Sequence, residues 1–282
     1  MPYSILVLTQ NEEINVARCL NSLPAGSDIV VLDSGSTDGT LDVVRRYPVR
    51  IAERPFDSFA AQRNWAVDTV GFRHDWILHL DADECLTEPL RAELETVTSR
   101  DEHSAYVLAN RLFFMGRWIR HASMYPYYQA RLLKRGEARF GQVGHGQILA
   151  EAQRGVGTIR EPYDHHNFSR GITDWVTRHN KYSSDEARRI VSGTAHGSLP
   201  GASSGTGKET RQQRLKWVAD RVPARPVVRF LYLYIYKLGI LDGRPGFDYC
   251  LLMAFYDYLT RLKARELRSS LSDSRSERTG EA

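Results

Sequence analysis

The chain has 282 residues, enough to bury one large core or two smaller ones without metal or disulfide staples. Its 42% hydrophobic and 26% charged content excludes a disordered chain, a collagen and a multi-span membrane protein. Three separated cysteines (Cys19, Cys85 and Cys250) exclude a disulfide framework or Cys-rich zinc site and fit a reducing compartment, and a net charge of +4 is too mild to point to nucleic acid.

Pro2-Tyr3-Ser4 leads straight into an apolar run with no basic n-region or cleavage site, so the protein is expected in the cytoplasm. Residues 5–9 read as a strand that ends in Gln10-Asn11. Helical spacing of Ile14, Ala17 and Leu20 predicts a helix over 12–23, stopped by Pro24 and Gly26. A second strand, 28–32, runs into Asp33-Ser34-Gly35-Ser36. Thr37-Asp38 then cap a helix to residue 46, which Pro48 closes. A strand at 49–52, a helix at 59–70 and a strand at 76–80, ending at Asp81, complete the pattern. Continuous apolar strands alternating with helices mean a parallel sheet covered on both faces, with right-handed connections.

After residue 100 the rhythm changes. Residues 105–109 and 129–133 read as strands of a mixed sheet, with Gly-rich turns near Gly136, Gly141, Gly144 and Gly146, and 172–191 as a helix. These give an α/β domain over 1–192. Residues 193–210, rich in Gly, Ser and Thr, read as a flexible loop, 211–268 as a basic, aromatic helical module and 269–282 as a disordered tail.

Ligands of such sheets bind outside the carboxyl ends of the strands. Three polar clusters stand there: Thr9 to Glu13, Asp33 to Asp38, and Asp81-Ala82-Asp83-Glu84. No GxGxxG or GxxxxGK[ST] turn supports a dinucleotide or P-loop site. Asp81 and Asp83 are spaced so that both point the same way from an extended chain, where two carboxylates repel unless a cation sits between them. Mg2+ or Mn2+ suits such a pair, with substrate phosphates completing the shell.

Taken together, Thr9-Gln10-Asn11-Glu12-Glu13, Val31 to Thr40, Gln62-Arg63-Asn64-Trp65-Ala66 and Leu80-Asp81-Ala82-Asp83-Glu84 resemble the family 2 glycosyltransferases in order and spacing. Arg131-Leu132-Leu133, Gly144-His145-Gly146-Gln147, His179 to Ser183 and Gly239 to Gly243 extend the likeness to the branch containing lipopolysaccharide-core β-glucosyltransferases and exopolysaccharide glycosyltransferases. The resemblance implies the GT-A fold, a Rossmann-like, mainly parallel mixed sheet flanked by helices. It also implies a divalent cation, Mg2+ or Mn2+, and an inverting transfer from a nucleotide-diphospho-sugar, UDP-hexose first, to a glycan or lipid-linked acceptor.

By the same resemblance Thr9, Asn11 and Glu13 line the nucleotide pocket, Asp33 lies near the base or ribose, and Gln62 and Arg63 lie near the nucleotide or its diphosphate. Asp81 reaches the ribose or the metal shell and Asp83 holds the metal. Many family members carry a second aspartate where this chain has Ser34. The general base falls to His145, with Asp164 in reserve, because the Gly144–Gln147 stretch lacks the family's carboxylate. His165-His166 is set aside as a zinc pair, since adjacent residues of an extended segment face opposite ways.

Two apolar, aromatic runs near the C-terminus, 227–238 and 247–259, are flanked by Arg221, Arg225, Arg244, Arg261 and Lys263. They are too short to span a bilayer and read as helices lying on the cytoplasmic face of the inner membrane, although alternation at 231–236 also fits a strand. The competing functional readings are a sugar-1-phosphate nucleotidylyltransferase and an inactive, membrane-bound assembly partner. Nucleic acid is not expected as a partner.

Overall fold

The computed structural model describes residues 2–123, 125–143, 146–192 and 225–280. His145, the 193–210 loop and residues 211–224 of the predicted module therefore lie outside the described residues. The chain divides into two compact units, Met1–Phe113 with Tyr125–Ser169, and Phe114–Met124 with Arg170–Ala282. Residues 170–192, read from the sequence as the end of the first domain, thus group with the C-terminal part.

The first unit opens as predicted: β1 (Tyr3–Thr9), α1 (Glu13–Ser22), β2 (Ile29–Asp33), α2 (Thr40–Val44), β3 (Arg50–Glu53), α3 (Phe59–Thr69) and β4 (Trp76–Asp81). α2 is shorter than the sequence pattern, because residues 34–39 are drawn into the turn that follows β2. Next come β5 (Glu84–Cys85), α4 (Glu88–Arg100), β6 (Ala105–Phe114), whose last residue falls in the second unit, and β7 (Arg117–Trp118) of that unit. The first unit resumes with β8 (Tyr128–Lys134), β9 (Ala138–Val143), β10 (Gly146–Ala152), β11 (Val156–Thr158) and β12 (Tyr163–His165). Gly141 and Gly146, expected in turns, stand instead in the β9–β10 hairpin.

The strands run in the order β3-β2-β1-β4-β8-β6-β12-β5. Pairs among β3, β2, β1 and β4 are parallel, while β8 runs antiparallel to both β4 and β6. The sheet is thus mixed and mainly parallel, as expected. β1 alternates its side chains between two cores. Tyr3, Ile5 and Val7 meet α1 and α4 through Val16, Leu20, Leu90 and Leu94, whereas Leu6 and Leu8 meet Ala66 of α3 on the other face. Burial on both faces is why β1 reads as a continuous apolar run.

The second unit holds α5 (Gly171–Ser192), α6 (Arg225–Leu231), a π-helical turn at Tyr232–Tyr236, a 3-10 turn at Gly239–Asp242 and α7 (Gly243–Gly280). The ambiguous 231–236 stretch is helical. α7 runs through residues 269–280, where composition predicts a disordered tail. Asp242 ties the unit together: its buried carboxylate accepts the backbone N–H groups of Arg120, His121 and Ala122. Among the described residues no helix is long and apolar enough to cross a membrane.

Candidate functional site

The parallel register sets the site. Thr9 stands opposite Asp33, and Leu8 opposite Asp81, so the carboxyl ends of β2, β1 and β4 lie side by side. Asp33 is fully buried and takes four donors. Gly35 and Ser36 donate their N–H groups to Oδ2 at 2.9 and 2.7 Å, while Ser36 Oγ and Thr9 Oγ1 donate to Oδ1 at 2.5 and 3.2 Å. Asp33 therefore shapes the turn. Gly35 sits there at a φ of +86°, a conformation that favours glycine.

Asn11 and Glu13 brace the same turn from the β1 side. Asn11 adopts a left-handed φ of 55°, which asparagine tolerates, and its Oδ1 accepts the Thr37 N–H at 2.7 Å. Glu13 Oε2 accepts the Gly39 N–H at 3.1 Å, and a Cβ added at Gly39 would meet that carboxylate at 2.7 Å. Of the four predicted nucleotide-pocket residues, Thr9 and Asp33 are buried in the loop scaffold, and Asn11 and Glu13 stand on its more open side.

Beside them lies a buried charge network. Arg63 Nη2 donates to Asp81 Oδ1 at 2.6 Å, and Arg131 Nη2 donates to Asp81 Oδ2 at 3.0 Å and to Glu84 Oε1. Glu84 Oε2 accepts the Asp81 N–H at 2.9 Å. Burial alone raises a carboxyl pKa, yet the guanidiniums of Arg63 and Arg131 more than offset it and hold Asp81 at about 2. For Glu84 burial wins: it is pushed up to about 7 against the pull of Arg131. Arg63 also donates from Nε to Gln147 Oε1 at 2.9 Å, and its buried Nη1 has no partner among the described residues. Neighbouring Gln62 is spent on the backbone, donating to Pro55 O at 2.8 Å.

Asp83 is placed differently from Asp81. Its Oδ2 lies 3.4 Å from Nε2 of His165, because β12 pairs antiparallel with β5 and sets His165 opposite Glu84. Burial opposes a charge on the imidazole, but Asp83 beside it raises the His165 pKa to about 9. The same contact holds Asp83 below the usual carboxylate range. His166 faces the other way, stacked on Phe113 with ring centroids 4.9 Å apart. Asp164 accepts Arg111 Nε at 2.5 Å, so the reserve base is held by a guanidinium.

If the imidazole gives up its proton, the Asp83 oxygen and the His165 nitrogen form a donor pair that a divalent ion such as Mn2+ would accept, the cation replacing the proton between them. Asp81 fits that role poorly, since both its oxygens face guanidiniums. Among the described residues no group of three or more His, Cys, Asp or Glu side chains could hold a metal. A cation bound at Asp83 and His165 needs substrate or water oxygens as well.

Three members of this constellation escaped sequence reasoning: Glu84, Arg131 and His165. Arg131 had a signal, in Arg131-Leu132-Leu133, but only the β4–β8 pairing brings it to Asp81. His165 was weighed only against its neighbour His166.

Residues 4–152 match the family described as Glycosyl transferase family 2. The lipopolysaccharide core biosynthesis glycosyltransferase LpsC of Rhizobium meliloti is 29% identical over 272 residues, covering 93% of this chain and 92% of that protein. An uncharacterized glycosyltransferase of Rickettsia typhi is 25% identical over 279 residues, covering 94% and 87%. In fold the chain is similar to the mannosyltransferase PcManGT from Pyrobaculum calidifontis, solved in complex with GDP-Man and Mn2+. The TM-score is 0.50 at 15% identity, covering 93% of this chain and 86% of that one.

Proposed function

Because the chain belongs to glycosyl transferase family 2 and is a glycosyltransferase, we propose that it moves a hexose, with inversion, from a UDP-sugar to a lipopolysaccharide-type or lipid-linked glycan. It does so at the cytoplasmic face of the inner membrane. The acceptor class is supported by the likeness to LpsC along nearly the whole of both chains. The observation that carries the reading is the Asp83–His165 pair, set beside the strand ends that hold Asp33 and Asp81.

Each residue then has a task. Asp33, Thr9 and Gln62 hold the loops in shape, and Asn11 and Glu13 form the open wall against the nucleoside. Arg63 and Arg131 engage both oxygens of Asp81, which positions the two guanidiniums instead of reaching the ribose. The free Nη1 of Arg63 adds a positive edge suited to diphosphate oxygens. Asp83 and His165 would hold the divalent cation, Mn2+ or Mg2+, and a cation bound there would supply positive charge for the departing nucleoside diphosphate. His145 takes the proton from the acceptor hydroxyl. It is preferred over Asp164, which Arg111 already engages, and Gln147, two residues on, touches Arg63.

Mn2+-dependent hydrolysis of UDP-glucose tests the reading. Wild type is expected to turn over slowly and Asp83→Asn to lose about 10²–10³-fold, the usual cost of removing a group that stabilises developing charge. With an acceptor present, His145→Ala is expected to fall further than Asp164→Asn, with UDP binding unchanged. Turnover by Asp83→Asn at the wild-type rate would sink the assignment.

A further inference from the structure

The helical stretch 225–241 is amphipathic the wrong way round for a surface in water. Its exposed positions come in pairs one turn apart: Val227 and Val228, Leu231 and Tyr232, Ile235 and Tyr236. Tyr236 is 75% exposed and Ile235 60%. Leu238, Ile240 and Leu241 continue the stripe, so every exposed side chain from 227 to 241 is apolar or a tyrosine. The opposite side is already satisfied. Leu233 is buried, and Phe230 and Tyr234 pack edge-on against Phe247 of α7 with ring centroids 5.5 and 5.6 Å apart. The outer stripe therefore has no role in the unit's own core, and a contiguous apolar surface of this kind marks an interaction site.

The charges say what it meets. Lys237 stands on the stripe's flank, partly exposed, with its Nζ 5.9 Å from the centre of the Tyr232 ring. Arg225 and Arg229 are also partly exposed, although Arg225 pairs with Asp257 at 3.4 Å and the Nε of Arg229 is buried. Arg244, its side chain 82% exposed, follows just beyond the stripe. No acidic side chain occurs from 225 to 241, and the first one after it, Asp242, is buried on backbone N–H groups. Arg244 pairs with Asp248 at 3.1 Å, but within 225–241 the only charged side chains are cations. Apolar residues between tyrosines with cations among them match the boundary between acyl chains and anionic headgroups. We propose that this stripe is a monotopic docking face for an anionic phospholipid bilayer, entered side-on by residues 227–241. The inference gives a specific surface to the membrane location in the proposed function and rests on that reading.

Flotation of the full chain with phosphatidylglycerol/phosphatidylethanolamine vesicles, and with phosphatidylcholine vesicles, tests it. The expected result is binding to the anionic vesicles that weakens with salt and is largely absent with phosphatidylcholine. Ile235→Asp/Tyr236→Asp is expected to lower partitioning at least about tenfold, with an unchanged melting temperature and unchanged UDP-glucose hydrolysis. Arg229→Gln/Lys237→Gln is expected to lower partitioning less and to remove much of the salt dependence. Equal partitioning of wild type and the aspartate variant would overturn the proposal, as would wild type that stays with the protein fraction. So would a light-scattering mass of two chains that the aspartate variant halves, since the stripe would then face a second copy. Hydrolysis without vesicle binding would defeat this proposal alone and leave the transferase reading standing.

Discussion

The two units break the ordinary rule of burial in opposite directions. In the first, charges are inside: Arg63, Arg131, Asp33 and Glu84 are almost entirely buried at the ends of the strands. In the second, apolar side chains are outside, along residues 227–241. Both departures oppose folding, the first through desolvation of ions and the second through apolar surface left in water. The difference lies in compensation. The buried charges pair with one another, so that Asp81 is held between two arginines, while the buried Arg63 Nη1 has no partner among the described residues. The apolar stripe has no such answer among the described residues of its unit. A buried network whose charges pair with one another fixes the shape of a site, whereas an exposed stripe is a surface for something else.

The largest test of that contrast removes a charge from the first unit. Arg131→Met keeps most of the volume but leaves Asp81 and Glu84 with an unbalanced negative charge, and unfolding in urea should show a loss of about 3–5 kcal/mol. A loss under about 1 kcal/mol would mean that Arg131 does not balance these carboxylates.

His79 gives an intermediate effect. Both its ring nitrogens are buried without hydrogen-bond partners among the described residues, its ring lies edge-on to Phe140, and burial, reinforced by Arg63 and Arg131, pushes its pKa well below the ordinary value. The neutral form is therefore favoured in the folded state. Its contribution is fully present above the unfolded pKa of about 6.5 and is lost as pH falls below it, by about 1.4 kcal/mol per unit. His79→Leu should flatten the decline of stability between pH 7 and 5, and an unchanged slope would place the titration elsewhere. The smallest effect belongs to the second unit. Tyr236→Ser should change the unfolding free energy by no more than about 0.5 kcal/mol, because the stripe does not hold its own unit together.

How much of this the sequence carried differs by element. β1, β2, β4, α1 and α3 were legible because each has a clear period, and the strand-end clusters were legible because parallel sheets put ligands there. β11 and β12 have three residues each, too few for a pattern. That is why the contact of His165 with Asp83 was not foreseen: it is set by antiparallel pairing of β12 with β5, a long-range choice that no local signal records. Asp33 was found but its surroundings were not, since four short hydrogen-bond donors converge on it only once β1 and β2 are aligned. The 231–236 stretch was ambiguous between strand and helix because alternating aromatic and aliphatic residues fit both. Packing of Phe230 and Tyr234 on Phe247 goes with the helix.

The proposed transfer depends most on whether Asp83 and His165 hold a divalent cation together with the nucleotide. Calorimetric titration of UDP into the full chain, with and without Mn2+, addresses this without any turnover. Mn2+ should tighten UDP binding at least about tenfold, equivalent to about 1.4 kcal/mol, and both Asp83→Asn and His165→Ala should abolish that gain while metal-free binding persists. Equal UDP affinity with and without the ion, or a full gain retained in Asp83→Asn, would contradict it.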